Sequence, residues 1–242
     1  MKKRSVTLIA TLIKTITFFA ALPISLSAQE TAIESTSQAQ NKSVLLSDSF
    51  VNNAADKATL RELLSEFTTL KASFTQTITD MQGLELQSSI GELVLKKPQQ
   101  LRWEVSSPEA SLLLADGNTV YNVDPFVEQV TLLDQSALTK SNPLMLLITD
   151  QETQWAQVSV LQNEKSFSIV SLMPDSPISR LVLNFGDDNK LLSLLSTDRQ
   201  QQVNSLLFTD VKYDKETIDS DFTFTPESTW VVDDQREQTV SQ

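Results

Sequence analysis

The segment LVLKKPQQLRWEV, residues 93–105, sets two adjacent lysines at the end of a pattern typical of a β-strand. Successive side chains of a strand point to opposite faces, so Lys97 shares a face with Leu93 and Leu95, and Lys96 lies on the other. After Pro98 an apolar face resumes with Leu101, Trp103 and Val105. An ammonium group at the end of an apolar face can hold a covering segment by hydrogen bonds, or extend past the strand end into water. The pattern leaves both readings open.

Residues able to carry out catalysis are scarce. The chain of 242 residues has no cysteine and no histidine, which excludes Ser–His and Cys–His nucleophiles and the common zinc sites. It contains four glycines and no phosphate-binding glycine motif. A pair of carboxylates of the glycosidase type remains, but nothing singles out two of the 31 acidic residues. We therefore expect a protein that is not an enzyme and binds neither a cofactor nor a metal.

The amino terminus has the layout of a secretory signal peptide. Three basic residues precede an apolar run that Lys14 interrupts, and small residues follow at Ser25, Ser27 and Ala28. The pattern predicts cleavage near Ala28 and export of the mature chain, the alternative being a membrane anchor. Cleavage would leave 15 basic and 31 acidic residues, a net charge of −16. Such a chain repels nucleic acids and favours partners with a basic patch.

Composition predicts one folded domain behind a polar leader. Residues 29–53 are rich in Ser, Gln, Asn and Thr and favour a flexible segment, residues 54–237 form the domain, and residues 238–242 are a short tail. Apolar residues in 54–70 recur at helical spacing, at Leu60, Leu63, Leu64 and Phe67. Eleven strand candidates follow, near 71–80, 86–96, 100–106, 110–115, 118–123, 126–133, 155–161, 166–173, 179–185, 190–197 and 202–210.

One apolar segment, SNPLMLLITD at 141–150, interrupts the strands. Asn142 suits an N-cap and Pro143 the first position of a short helix. We predict a mainly β protein with helices: a predominantly antiparallel meander that can curl into a barrel, with the helices packed on the concave face of the curved sheet. Several strands, among them SLLLA at 111–115, are apolar on both faces and resist assignment to an inside or an outside.

Five segments in this order resemble the periplasmic outer-membrane lipoprotein carrier (LolA) family, and they span most of the chain from about 57 to 236. They are LKASFTQTITD (70–80), GELVLKKPQQLRWEV (91–105), LLADGNTVYNVDPFVEQVT (113–131), NPLMLL (142–147) and FTFTPESTWVVDDQR (222–236). The resemblance implies an open (unclosed) antiparallel β-barrel, a strongly curved sheet with a helical lid over an apolar cavity. It also implies a soluble, monomeric periplasmic chaperone. It would receive acylated lipoproteins from an inner-membrane ABC transporter and deliver them to an outer-membrane receptor.

The resemblance also implies a role for Lys97. The family has an inward basic residue before the proline, usually arginine, that hydrogen-bonds the lid and closes the empty cavity. By this matching Lys97 is the lid latch, with partners near Leu64 and around Leu147 and Ile148. Lysine keeps the donors but lacks the planar fork of arginine.

A carrier of acyl chains needs a lining of bulky apolar side chains. We expect it from Phe74, Leu93, Leu95, Leu101, Trp103, Phe126, Leu144 and Met145. Trp103 and Phe126 are also consistent with ordinary core aromatics, and Met145 with a gap filler. Two other functions stay open on the same fold, a periplasmic lipid- or lipoprotein-sensing regulatory module and a scaffold with a filled interior.

Overall fold

The computed structural model describes residues 54–136 and 143–236. The predicted signal peptide, the leader and the tail at 238–242 lie outside the described residues, as does Asn142. Helix α1 (Ala54–Ser65) opens the described chain, a 3₁₀ helix (Pro143–Leu147) and helix α2 (Glu152–Trp155) lie between the sixth and seventh strands, and a second 3₁₀ helix spans Asp219–Phe222. Within these residues no helix is long and apolar enough to span a bilayer.

Twelve strands form one sheet. Their order is β12-β6-β5-β4-β3-β2-β1-β11-β10-β9-β8-β7, and the edge strands β12 and β7 are not neighbours, so the barrel is open. The strands are β1 (Thr69–Thr79), β2 (Glu85–Lys96), β3 (Gln100–Ser107), β4 (Ser111–Ala115), β5 (Thr119–Asp124), β6 (Gln129–Asp134), β7 (Val158–Asn163), β8 (Ser166–Ser171), β9 (Ile178–Phe185), β10 (Leu191–Asp198), β11 (Val203–Tyr213) and β12 (Val231–Asp234).

Antiparallel pairing of consecutive strands, as predicted, is found from β1 to β6 and from β7 to β11, and β1 joins these two series by pairing antiparallel with β11. Strand β12 is the exception. It pairs in parallel with β6, from Val231 opposite Gln129 to Asp234 opposite Leu132. The run DFTFTP (221–226) has a strand-like alternation, but it contains the end of the second 3₁₀ helix. A four-residue parallel strand has too short a pattern to be read from periodicity.

Helix α1 ends at Ser65, about five residues earlier than its apolar pattern predicts. The backbone groups that follow bond to the sheet instead. The Asp214 carboxylate accepts the Thr68 amide at 2.8 Å, and the Thr68 carbonyl accepts the Lys97 amide at 2.9 Å. Tertiary pairing therefore overrides the helical pattern after Ser65.

One large buried cluster joins the helices to the sheet. It unites apolar residues of α1 and of the segment 146–155 with residues of β1, β2 and β3 and of β7 to β11. Strands far apart in the sheet order therefore share one interior, which requires the sheet to curl. We call the side of the sheet that bears Leu70, Ala72 and Phe74 the inner face, and α1 with residues 143–155 the cover.

Strands apolar on both faces are explained by the carboxyl-terminal segment. In β4, Leu112 and Leu114 belong to a second cluster, against which Phe224 and Trp230 pack on the outer face. Leu113 points the other way and lies opposite Trp103. The sequence was ambiguous here because each face of β4 has its own apolar partner.

Candidate functional site

The predicted lining residues gather where the cover meets the inner face. Phe74, Leu93 and Leu95 are buried in the large cluster, and Leu101 and Trp103 are half-buried against it. From the cover, Leu64, Leu147 and Ile148 are buried in the same cluster and Met145 packs against it. Leu144 lies in the 3₁₀ helix, but its side chain is outside what the structure describes. The cover thus lies closed on the inner face, with apolar side chains in contact between them.

Phe126 does not join this group, and its prediction as a lining residue was wrong. Its side chain is 93% exposed. Residues 125–128 form the turn between β5 and β6, so the predicted strand at 126–133 begins only at Gln129. The Asp124 carboxylate accepts the amides of Phe126 and Val127 at 3.0 and 3.3 Å. This local turn directs the ring away from the sheet.

Two aromatic rings form the middle of the inner face. Phe74 of β1 and Trp103 of β3 have ring centroids 5.2 Å apart at an angle of 59°. Gly91 of β2 lies between them in the register, opposite Phe74 on one side and Val105 on the other. The absence of a side chain on β2 lets the two rings meet across the strand.

Lys97 bonds the end of helix α1. Its ammonium donates to the carbonyl oxygen of Leu64, and to that of Phe67 at 3.0 Å. The last carbonyls of a helix have no hydrogen-bond partner within the helix. At the end of α1 three of these carbonyls accept hydrogen bonds from three different donors. Ser65 donates its hydroxyl to Glu62 at 2.7 Å, Glu66 its amide to Leu63 at 3.3 Å, and Lys97 completes the set. A lysine in the turn after β2 therefore caps the cover helix.

The ammonium of Lys97 is only partly desolvated. Burial lowers the pKa of Lys97 below its ordinary value, and the charges of Asp150 and Asp214 act in the opposite direction. The cation also lies 4.0 Å from the centroid of the Phe67 ring, which itself stacks on Tyr213. Because the charge would gain hydration if the cover lifted, these contacts are less costly to break than their number suggests.

Lys96, its neighbour, lies on the opposite face as strand alternation predicts. Its ammonium is 5.7 Å from the centroid of the Phe222 ring, which is fully buried. Arg102 of β3 donates to the Glu104 carboxylate at 2.7 Å. The two lysines thus hold two different segments, Lys97 the cover and Lys96 the carboxyl-terminal segment.

A second contact ties the 3₁₀ segment of the cover to the loop after Lys97. The Gln99 amide donates to the Ile148 carbonyl at 2.9 Å. Gln135 supports this loop, since its side-chain amide donates to the Gln99 carbonyl at 2.7 Å and accepts the Gly117 amide at 2.9 Å. Ile148 is therefore held through its own backbone by Gln99, and Leu147 contributes by packing.

The parts of the cover are also bonded to one another. Arg61 of α1 bridges Asp150 and Glu152 at 2.9 and 2.7 Å and lies 5.4 Å from the centroid of Trp155. Lys57 donates to the Trp155 carbonyl at 2.8 Å. These contacts join α1 to α2 within the cover.

Sequence reasoning missed several of these residues. Phe67 was placed in the apolar stripe of the helix, but its carbonyl and ring both serve as partners of Lys97. Gln99, Gln135 and Arg61 carried no signal, since isolated polar residues in loops and on helix surfaces are common. Only the folded chain places them at the edges of the cover.

A small cavity of about 140 Å³ lies on the outer face instead. Charged residues line it, among them Lys71, Glu92, Arg102 and Asp221. Its mixed charge does not suit hydrocarbon, so the inner face remains the candidate site.

Comparisons with known proteins agree with this geometry. The family described as "Outer membrane lipoprotein carrier protein LolA" matches residues 65–225. The outer-membrane lipoprotein carrier protein of Pseudoalteromonas translucida is 33% identical over 184 residues, which are 75% of this chain and 88% of that protein. Its counterpart in Shewanella sediminis is 33% identical over 188 residues, 78% and 90% of the two chains.

Among solved structures, a LolA superfamily protein of Nitrosomonas europaea covers 70% of this chain and 98% of its own. Its sequence identity is 12% and its TM-score 0.41. The family match and the two relatives each cover most of the described domain. This chain belongs to the LolA family of outer-membrane lipoprotein carrier proteins.

Proposed function

We propose that this protein is a periplasmic carrier that shelters the acyl chains of lipoproteins between its cover and its inner face. In this proposal it takes them from an inner-membrane ABC transporter and delivers them to an outer-membrane receptor. The observation that carries the proposal is the apolar contact between the cover and the inner face, closed by a polar latch at Lys97. The names of the curated relatives support the cargo class.

The energetics of the cargo explain why a carrier is needed. Each methylene exposed to water costs about 0.8 kcal/mol, so one long acyl chain costs on the order of 10 kcal/mol. An interior that closes on itself when empty keeps its own leucines and aromatics from water. When acyl chains enter, they replace the cover as the apolar partner of the inner face. The free energy lost with the cover's apolar contacts is then nearly balanced by the free energy gained from burying the acyl chains. A near balance keeps the affinity moderate, as onward delivery requires.

The latch gives this exchange a breakable polar contact. Each hydrogen bond to a charged donor contributes roughly 1.5–3 kcal/mol, part of which hydration of the freed ammonium returns. Loss of the two Lys97 bonds is therefore within reach of what cargo burial provides. The proposal needs no catalytic step, cofactor or metal.

Uptake of a fluorescent fatty acyl probe by the mature protein tests this function. We expect saturable binding, followed by loss of the probe to membranes that contain the outer-membrane receptor. A protein with a permanently filled interior would take up no probe and would contradict the proposal. Purification of the protein from periplasm, followed by mass spectrometry for acylated peptides, would identify the natural cargo.

Trp103 offers an intrinsic signal of loading. Its ring is half-buried against Phe74, so acyl chains that part these rings must change its emission. We expect the fluorescence of the wild-type protein to shift on titration with acylated cargo. Trp103→Phe should remove the part of the change that Trp103 contributes, leaving only the signal of Trp155 in the cover and of Trp230. A wild-type response that is flat at saturation would show that Trp103 does not line the site.

A further inference from the structure

A buried polar chain crosses the inner face beyond the aromatic pair. The Ser89 hydroxyl of β2 donates to the side-chain oxygen of Gln76 in β1 at 2.9 Å. The side-chain nitrogen of Gln76 donates to the side-chain oxygen of Asn204 in β11, also at 2.9 Å. Gln76 is 1% exposed and Ser89 3%. We call these three residues the polar bar.

The sheet register places the polar bar at a definite depth. Starting from the latch, the inner face of β1 and β2 presents the apolar pairs Leu70 with Leu95 and Ala72 with Leu93, then Phe74 opposite Gly91. The next pair inward is Gln76 with Ser89. Strands rise about 3.3 Å per residue, so Leu70 and Gln76 are separated by roughly 20 Å. The hydrocarbon of one leaflet, half of a bilayer core, is roughly 15 Å deep.

This apolar length somewhat exceeds the depth of one leaflet, so it is long enough to hold one extended acyl chain. A methylene that reached past the polar bar would displace hydrogen-bonded groups and leave them buried without partners, which is unfavourable. A methylene short of it meets only leucine, alanine and phenylalanine. The bar thus ends the run of apolar pairs that the inner face of β1 and β2 presents from the latch onward.

We propose that the polar bar sets the depth to which acyl chains enter and so makes the carrier selective for chain length. The inference rests on the proposed function, because it presumes that chains enter at the latch and run along β1. It assigns Gln76, with Ser89 and Asn204, as residues that determine specificity.

Displacement of a bound fluorescent fatty acyl probe by decanoate, laurate, myristate, palmitate and stearate tests the inference. Each buried methylene tightens binding roughly fourfold. In the wild-type protein we expect this gain to stop within the series, once the chain end reaches the bar. In Gln76→Met/Ser89→Ala, which removes both partners of one hydrogen bond and leaves the half-exposed Asn204 to water, the gain should continue to longer chains.

Leu206→Met is the matched control, because Leu206 lies directly opposite Gln76 on β11 and is equally buried. It changes packing without polarity and should keep the wild-type limit. If the double variant fails to fold, Ser89→Ala alone removes the hydrogen bond between Ser89 and Gln76. It should shift the chain-length limit in the same direction but by less.

An identical chain-length limit in the folded variants and the wild type would overturn the inference, as would a wild-type protein whose affinity rises without limit through stearate. Failure of the wild-type protein to bind any acid would instead contradict the carrier function itself. The two failures are therefore distinguishable.

Discussion

Lys97→Leu is expected to bind an acyl probe several-fold more tightly than the wild-type protein and to deliver its cargo poorly. The substitution removes the ammonium from the carbonyls of Leu64 and Phe67, so the empty closed state loses its cap. The loaded state, in which the cover has moved away from Lys97, loses little stability. Because only the empty state is destabilised, loading becomes more favourable and release less so.

Folding should be affected less than transfer. Leucine at position 97 leaves two carbonyls without the lysine donor, but it also relieves the burial of a charge that already lowers the pKa of Lys97. We expect the free energy of unfolding to change by about 1 kcal/mol. Thermal melts measure the change in stability. Cargo transfer is measured by a lipoprotein release assay on inner-membrane vesicles, followed by transfer to the outer-membrane receptor.

Lys97→Arg is the control for these measurements. A guanidinium group keeps the charge and supplies enough donors for both carbonyls, so transfer should stay near the wild-type level. A large drop in melting temperature with unchanged transfer in Lys97→Leu would show that the lysine serves the fold alone, and the latch would be wrong.

Gly91→Ala is expected to produce the largest loss of stability in this part of the sheet. A Cβ at this position would overlap the carbonyl oxygen of Glu104 and lie 2.6 Å from Cζ of Phe74. The Glu104 carbonyl belongs to the neighbouring strand β3, so it cannot yield without disturbing the β2–β3 pairing. Overpacking of this kind costs about 1–3 kcal/mol, and the backbone contact places Gly91→Ala at the upper end.

Urea denaturation measures this loss as a lower midpoint at an unchanged slope. Gly186→Ala is the matched control, since the tightest contact of its Cβ would be the Asp188 carboxylate at 3.0 Å, an exposed side chain that can turn away, and the Leu192 methyl groups would lie at ordinary contact distances of 3.5 and 3.6 Å. We expect Gly186→Ala to stay within about 0.5 kcal/mol of the wild-type protein. Equal midpoints for the two variants would contradict the close approach of β3 and Phe74 to Gly91.

Much of the inner face was predictable because strand alternation is a local property. The parity of residues 93–105 correctly placed Lys97 with Leu93 and Leu95 and Lys96 on the other side. The same rule failed at Phe126, where an aspartate two residues earlier forms a turn and the alternation ends. Hydrogen bonding by one side chain outweighed the apolar character of the segment.

The polar bar shows the other limit of local reasoning. Gln76 lies two residues from both Phe74 and Ile78 and therefore shares their face of the strand, so its inward direction was visible in the sequence. That it is buried and bonded to both neighbouring strands was not, because Ser89 and Asn204 lie 13 and 128 residues away. Partners at such separations are set by strand order, which periodicity does not encode.

By itself, the sequence of this protein determined the strand pattern, the inward lysine, the lack of catalytic histidine and cysteine, and the family resemblance. These depend on side-chain type and near-neighbour spacing, both of which can be read directly from the linear sequence. Only the tertiary structure decided that Lys97 caps helix α1, that the carboxyl-terminal segment covers the outer face of β4, and that Phe126 is exposed. Each of these depends on contacts between segments distant in the chain or on the path of a turn, and burial follows from which surfaces meet.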